Sequence, residues 1–108
     1  MVAFAQPVLA KSPECSGTNR WPTMSASTLL INAGIIDRDK LDFTKTKTIR
    51  LASEQIGRDL YRQIHLVTFT EKDGNVVEVI TSNEASNVEC SMSSVEVFVI
   101  SKRLKGSP

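Results

Sequence analysis

The sequence predicts an α+β domain with one short N-terminal helix packed on an antiparallel sheet of about four strands, in meander order, with one disulfide. Three observations support this prediction. A single stretch with helical spacing precedes several runs of β-branched and aromatic residues. Asp73-Gly74 separates two of these runs and favours a tight hairpin. Cys15 and Cys90 are the only two cysteines, which suits a single bridge.

Size and composition favour one folded domain. A chain of 108 residues falls in the usual range for a single domain, and 41% hydrophobic with 23% charged residues is typical of a globular protein. The formal net charge is only +1, with basic and acidic residues interspersed. No broad field of one sign would attract a polyanion, so nucleic-acid binding is not favoured.

Residues 1–10 carry no charge and end in Val8-Leu9-Ala10. This pattern resembles the last part of a secretory signal before its small-x-small cleavage site. The alternative is an apolar arm that packs on the domain. No segment approaches the roughly 20 apolar residues of a membrane span. We therefore expect a single domain over residues 11–108, located in the periplasm or secreted.

The two cysteines independently favour export, because structural disulfides persist in oxidising compartments. A Cys15–Cys90 bridge would close a loop of about 75 residues and stabilise the fold by about 4 kcal/mol in the chain-entropy model. The alternative is a pair of buried thiols in a cytosolic protein.

A helix is predicted over residues 24–33. Its apolar positions share one face and are Ala26, Leu29, Leu30 and Ala33. Thr23 or Ser25 can cap its start. Gly34 can take the left-handed conformation that ends a helix, with Ile35 making the accompanying apolar contact.

Four strands follow in the sequence. Residues 44–53 alternate as a strand with one buried face, and residues 55–59 form the turn after it. Residues 60–71 and 75–82 form a hairpin through a two-residue type I′ turn at Asp73-Gly74. In this register Lys72 faces Asn75, Val67 faces Ile80 and Thr68 faces Val79. Residues 95–104 form the last strand.

The later strands carry apolar residues on both faces, whereas one short helix covers only one face of a sheet. The other face could be covered by the N-terminal arm, a second copy of the chain or another protein. A large uncovered apolar patch usually marks an association surface. The alternative is burial under the arm and the loop of residues 83–94.

Residues able to perform chemistry are few, and we predict no active site, cofactor or metal. His65 is the only histidine, so two-histidine metal sites are excluded. There is no Gly-x-Ser-x-Gly elbow and no phosphate-binding glycine motif. The alternative is a small hydrolase that uses His65 with a carboxylate.

Residues 58–63 form the stretch richest in polar and aromatic side chains. Tyr and Arg are favoured at protein-interface hot spots. The predicted partner-binding residues are Arg58, Tyr61, Arg62 and Gln63. The alternative is a plain turn and strand entry.

The helix, the antiparallel sheet, the export signal and the paired cysteines together resemble the plan of small periplasmic immunity proteins. The resemblance concerns architecture, and no residue role is carried over from it. It implies a non-catalytic binding module that docks on another protein, as an immunity or inhibitor protein does. The other expectations are an accessory component of an envelope secretion or conjugation apparatus, a homodimer, and the His65 hydrolase.

Overall fold

The structure is a computed structural model that describes residues 11–104. Its elements, in chain order, are helix α1 (Trp21–Asn32), a 3-10 turn (Phe43–Lys45), and strands β1 (Lys47–Gly57), β2 (Leu60–Thr70), β3 (Val76–Ala85) and β4 (Glu96–Arg103). The strands form one antiparallel sheet in the order β1-β2-β3-β4. This confirms the predicted α+β fold. The predicted signal remnant, residues 1–10, lies outside the described residues.

Helix α1 begins three residues earlier than predicted. Arg20 is the N-cap and gives no side-chain cap, while Pro22 occupies the first turn, where its missing N–H leaves no bond unmade. The predicted cap Thr23 is instead buried inside the helix, and its hydroxyl forms a 2.6 Å hydrogen bond with the Thr48 hydroxyl of β1. Pro22 therefore helps to start the helix, and the Thr23 hydroxyl connects the helix to β1 instead of capping it.

The end of α1 follows the prediction. Gly34 has a φ of 74°. Its N–H donates to the Ile31 carbonyl at 3.0 Å, and the Ile35 N–H donates to the Leu30 carbonyl at 2.9 Å. These two bonds satisfy carbonyls that the helix would otherwise leave open, as in a Schellman motif.

The core lies between α1 and one face of the sheet, which we call the inner face. Its buried cluster comprises Ala26, Leu30, Ile36, Val67, Phe69, Val77 and Val79. The predicted helix face is right for Ala26 and Leu30 but wrong for Leu29 and Ala33, which are exposed. The helix rests on the sheet through neighbouring rows four residues apart, Pro22-Ala26-Leu30 and Thr23-Ser27, so Leu29 falls beside the contact.

The β2–β3 hairpin departs from the predicted register by one residue. Val67 pairs with Val79 and Thr68 with Glu78. The loop has three residues, because Glu71 donates its N–H to the Asn75 carbonyl at 2.8 Å. A type I′ turn needs a positive φ at both central residues, whereas here Gly74 has a φ of 93° and Asp73 does not have a positive φ.

The connection between α1 and β1 holds this hairpin in place. Leu41 forms an isolated bridge with Glu71, and the Lys72 N–H donates to the Lys40 carbonyl at 2.6 Å. The buried Glu71 carboxylate also accepts a hydrogen bond from the Asp37 N–H at 3.4 Å. This connection is therefore exposed at most of its charged side chains but bonded through its backbone.

Candidate functional site

The face of the sheet opposite α1, which we call the outer face, carries a row of large apolar side chains. One residue from each strand contributes, in the paired order Ile49, Leu66, Ile80 and Phe98. Their neighbours along β2 and β3 point to the buried inner face, as period-two alternation requires. Ile49 is 58% exposed and Phe98 52% exposed. We call these four residues the outer row.

Charged residues border the outer row on both sides. Toward the β1–β2 turn lie Glu54, Arg62, Glu84 and Glu96, and toward the β2–β3 hairpin lie Lys47, Glu78 and Arg103. Arg62 approaches Glu84 at 3.9 Å, and Arg103 approaches Glu78 at 3.6 Å. An apolar centre with a polar rim is the usual anatomy of a protein-binding surface.

Both edge strands are interrupted by bulges. Leu51 of β1 has no partner because the register shifts between Arg50 and Ala52, and Ile100 of β4 is skipped between Val99 and Ser101. Leu51 and Ile100 are each more than half exposed. Bulges break the regular ladder that another chain would need to extend the sheet from its edge.

The inner face divides into an apolar half and a polar half. The apolar half lies under α1. The polar half is covered by residues 11–20. From here on, the arm means these residues and not residues 1–10. The Pro13 carbonyl accepts hydrogen bonds from Gln63 Nε2 at 2.9 Å and from the Arg50 guanidinium at 3.1 Å. The arm is therefore fixed by side chains that project from β1 and β2.

The Cys15–Cys90 disulfide is present, as predicted, with the Cα atoms 5.8 Å apart. Two neighbouring amides hold the segments that it joins. Gln63 bonds to the arm at Pro13, and its cross-strand partner Asn83 donates Nδ2 to the Cys90 carbonyl at 2.9 Å. The bridge is compatible with an oxidising compartment.

His65 lies in the polar half of the inner face and is fully buried. It pairs with Arg50 of β1 and Thr81 of β3. Neither ring nitrogen has a hydrogen-bond partner among the described residues. Burial, with a further contribution from Arg50, lowers the pKa of His65 to about 4, although Glu14 acts in the opposite direction. The ring is neutral at pH 7 and packs as part of the core.

The four predicted partner-binding residues occupy different surroundings. Arg58 is exposed in the β1–β2 turn, and Arg62 is exposed on the outer face. Tyr61 and Gln63 point to the inner face and are buried. Only the two arginines of this set are available at the surface. Arg62 borders the outer row, so the two surfaces predicted separately meet at this residue.

The turn between β1 and β2 depends on a residue that sequence reasoning did not single out. Asp59 has a φ of 51°, a conformation that Asp tolerates better than most side chains. Its carboxylate accepts hydrogen bonds from the Asn87 N–H at 2.9 Å and from Asn87 Nδ2 at 2.7 Å. These bonds join the turn to the loop that carries Cys90.

A second apolar surface lies on the helix side of the molecule. It is a groove lined by Trp21, Met24, Leu29 and Val95. The Trp21 indole N–H donates to the Ser93 carbonyl at 3.0 Å, which fixes one wall. The groove faces away from the outer row and has no charged residue in its lining.

Two further features are absent from residues 11–104. No three His, Cys, Asp or Glu side chains cluster closely enough to hold a metal ion. No helix in this range has the length and apolarity needed to cross a membrane. Comparison with protein-family models, curated proteins and solved structures found no match.

Sequence reasoning predicted that the helix would cover only one sheet face and left the cover of the other face open, and it did not identify the outer row. The bulge at Leu51 reverses which side of β1 the following residues face. The hairpin register was predicted one residue away from the true one. The signal that could have identified the row is the alternation of Leu66 with Val67 and of Ile80 with Val79, once the pairing was known.

Proposed function

We propose that this chain is a small, exported, non-catalytic protein-binding module whose outer sheet face is its binding surface. Immunity and inhibitor proteins are examples of such modules. The observation that carries the proposal is the outer row, an apolar row across all four strands that is uncovered by the described residues. Contiguous exposed apolar surface of this kind usually marks a binding site.

The charged residues that border the outer row, which we call the rim, indicate that the ligand is a protein. Arg62 and Arg103 stand beside the outer row, and arginine is enriched at protein interfaces because its planar guanidinium both stacks and forms several hydrogen bonds. The outer row lies on the open face of a sheet, whereas small-molecule sites are enclosed clefts. A protein surface fits such a strip better than a metabolite does.

The surroundings of His65 support the non-catalytic part of the proposal. A histidine that acts in general acid–base catalysis needs a group to orient it and contact with the reacting atoms. His65 is fully buried, and its two ring nitrogens lack partners among residues 11–104. This setting favours a role in packing over a role in a hydrolase.

The disulfide supports export to the periplasm or beyond. The bridge spans 75 positions and joins the arm to the loop before β4. Removing a bridge of this loop length lowers the free energy of unfolding by about 4 kcal/mol in the chain-entropy model. An oxidising compartment would preserve that stabilisation.

The proposal is tested by a double variant of the outer row, Ile49→Lys with Phe98→Lys. Both side chains are more than half exposed, so the fold should survive while two buried charges disrupt the interface. Tagged protein recovered from its native cell envelope should carry a stoichiometric protein partner or a second copy. The double variant should lose at least nine-tenths of that partner.

The matched control is Leu29→Lys with Val88→Lys, which exchanges two exposed apolar residues away from the outer face for the same charges. The control should retain its partner. If the control loses the partner and the Ile49→Lys, Phe98→Lys variant keeps it, the binding site lies on the helix side and not on the outer face. Recovery of the monomer alone in every case would refute the proposal.

A further inference from the structure

We infer that the protein covering the outer face is a second copy of this chain, packed face to face about a twofold axis parallel to the outer row. This inference rests on the proposed function, because it assigns the partner for the same surface. It follows from the distribution of charge around the row, the shape of the sheet edges and the area of the face.

The outer row is self-complementary under such an axis. A twofold interface brings the same patch from both copies together. Rotation about the row places each strand over the same strand of the second copy, with its direction reversed. Ile49, Leu66, Ile80 and Phe98 then meet their own equivalents along the axis. Sheets packed in this way keep their strands within about 30° of each other.

The charges on the two sides of the outer row differ in sign. The side toward the β1–β2 turn has the carboxylates of Glu54, Glu84 and Glu96 against the single guanidinium of Arg62. The opposite side has Lys47 and Arg103 against Glu78. One side is therefore net acidic and the other net basic.

Two internal ion pairs use four of these seven charges. Arg62 pairs with Glu84, and Arg103 pairs with Glu78. Glu54 and Glu96 on the acidic side, and Lys47 on the basic side, have no ion pair among the described residues.

Rotation about the outer row lays the acidic side of one copy over the basic side of the other. Glu54 then lies one outward-facing position along β1 from Lys47 of the second copy, and Glu96 lies one such position along β4 from Arg103 of the second copy. Rotation about the strand direction would instead lay acid over acid and base over base. Rim charges contribute little affinity but select orientation, so they choose the first axis.

The edges of the sheet argue against edge-to-edge pairing of two copies, which is the alternative to pairing through the face. Addition of β1 or β4 to the same strand of a second copy needs an uninterrupted ladder. The bulges at Leu51 and Ile100 break the ladder at both edges. Pairing through the face avoids this obstacle.

The area of the face is sufficient for a weak dimer. Four strands spaced about 4.8 Å apart and about 30 Å long present about 570 Å². Two copies would then bury about 1,100 Å², near the lower limit of specific interfaces. The pair should therefore form and dissociate with concentration.

The experiment measures the mass of the full-length, disulfide-bonded chain by sedimentation from about 10 μM to about 1 mM, a range chosen for a weak interface. The wild type should rise from the 11.9 kDa of one chain to twice that mass. A basic-rim variant, Glu54→Lys with Glu96→Lys, and an acidic-rim variant, Lys47→Glu with Arg103→Glu, should each remain monomeric. Mixed in equal amounts, they should form a one-to-one pair of doubled mass.

The matched control is Arg38→Glu with Lys40→Glu, which reverses two exposed charges in the connection before β1 and should dimerise as the wild type does. A mixture that associates no better than its separate variants would overturn the inferred axis and the pairing argued from it.

Two other outcomes separate this inference from the proposed function. In the first outcome, the wild type stays monomeric up to the highest concentration, while the Ile49→Lys, Phe98→Lys variant still loses a different protein. This result overturns the inferred dimer and leaves the proposed function standing. A dimer that survives this same double variant shows that the two copies do not meet through the outer row, and it overturns this inference while the proposed function keeps its own test.

Discussion

His65 illustrates how a single buried side chain limits the range of pH in which the fold is stable. Its ring is fully buried beside Arg50, and its pKa is lowered to about 4 from an ordinary value of 6.5. The neutral form suits a site next to a guanidinium, whereas a protonated ring would place a second positive charge there without a partner. The arm over the polar half of the inner face therefore encloses a group that should resist protonation.

We predict that acid destabilises the protein partly through His65. Above pH 6.5 the ring is neutral in both states. As pH falls from 6.5 toward 4, the unfolded chain takes up a proton that the folded chain does not, so stability is lost across this window. At pH 4.5 the loss from this residue should be about 2 kcal/mol.

The measurement is urea unfolding of the wild type and of His65→Gln at pH 7 and pH 4.5. The variant cannot be protonated, so its stability should fall by about 2 kcal/mol less between the two values. Asp42, whose pKa is lowered, is common to both proteins and cancels in the comparison, and Glu14 cancels apart from its interaction with His65. Equal losses in the two proteins would show that His65 does not titrate as described.

Some residue-level features could be predicted and others could not. Two cysteines allow only one intramolecular bridge, so Cys15–Cys90 follows from the count alone. The orientations of Tyr61 and Gln63 do not follow from the sequence. Alternation along β2 places Tyr61 and Gln63 on one face of the sheet and Arg62 on the other. Which of these faces is buried depends on the position of the arm.

At the scale of the element, the β2–β3 hairpin sets which residues share a face. A shift of one residue in pairing moves every side chain of a strand to the opposite face relative to its partner. With the three-residue loop, Val67 meets Val79 on the inner face and Leu66 meets Ile80 on the outer face. The outer row exists because of this register.

Gly74 should be the residue on which this loop depends. Its φ of 93° is unfavourable for any residue with a Cβ atom, so Gly74→Ala should lower the free energy of unfolding by about 1 kcal/mol or more. Gly57→Ala is the matched control, because Gly57 has an ordinary φ and its added Cβ would meet Leu60 at a normal 3.4 Å. Its effect should stay within about 0.5 kcal/mol. Equal destabilisation by the two substitutions, measured by urea unfolding, would contradict the described loop.

The bulges explain why the outer row was beyond sequence analysis. Regular period-two alternation along residues 44–53 would place Thr46, Thr48, Arg50 and Ala52 on one side of the first strand. Thr48 and Arg50 do face inward with β2, but Leu51 breaks the alternation and Ala52 faces outward with Ile64. A bulge depends on pairing with the neighbouring strand, which the pattern of one strand does not contain.

At the scale of the molecule, the two faces of the sheet are covered unequally. The helix, the arm and the disulfide all lie on the inner face, while the outer face within the described residues carries only its own side chains. The sequence predicted that one short helix cannot cover both faces of four strands, and it left open whether the arm, the loop of residues 83–94 or another chain covers the rest. A fold that leaves a row of Ile, Leu and Phe uncovered is suited to association with another protein.

The central claim is that this chain binds protein through its outer row, and methyl NMR with a soluble paramagnetic probe tests it most directly. In the associated state, the methyl groups of Ile49, Leu66 and Ile80 should be as protected from the probe as those of the buried Val67 and Val79. On dilution to the single chain, Ile49 should regain the most exposure, because it is the most exposed of the three. Outer-row methyl groups that remain equally accessible in the associated and single states would contradict the claim.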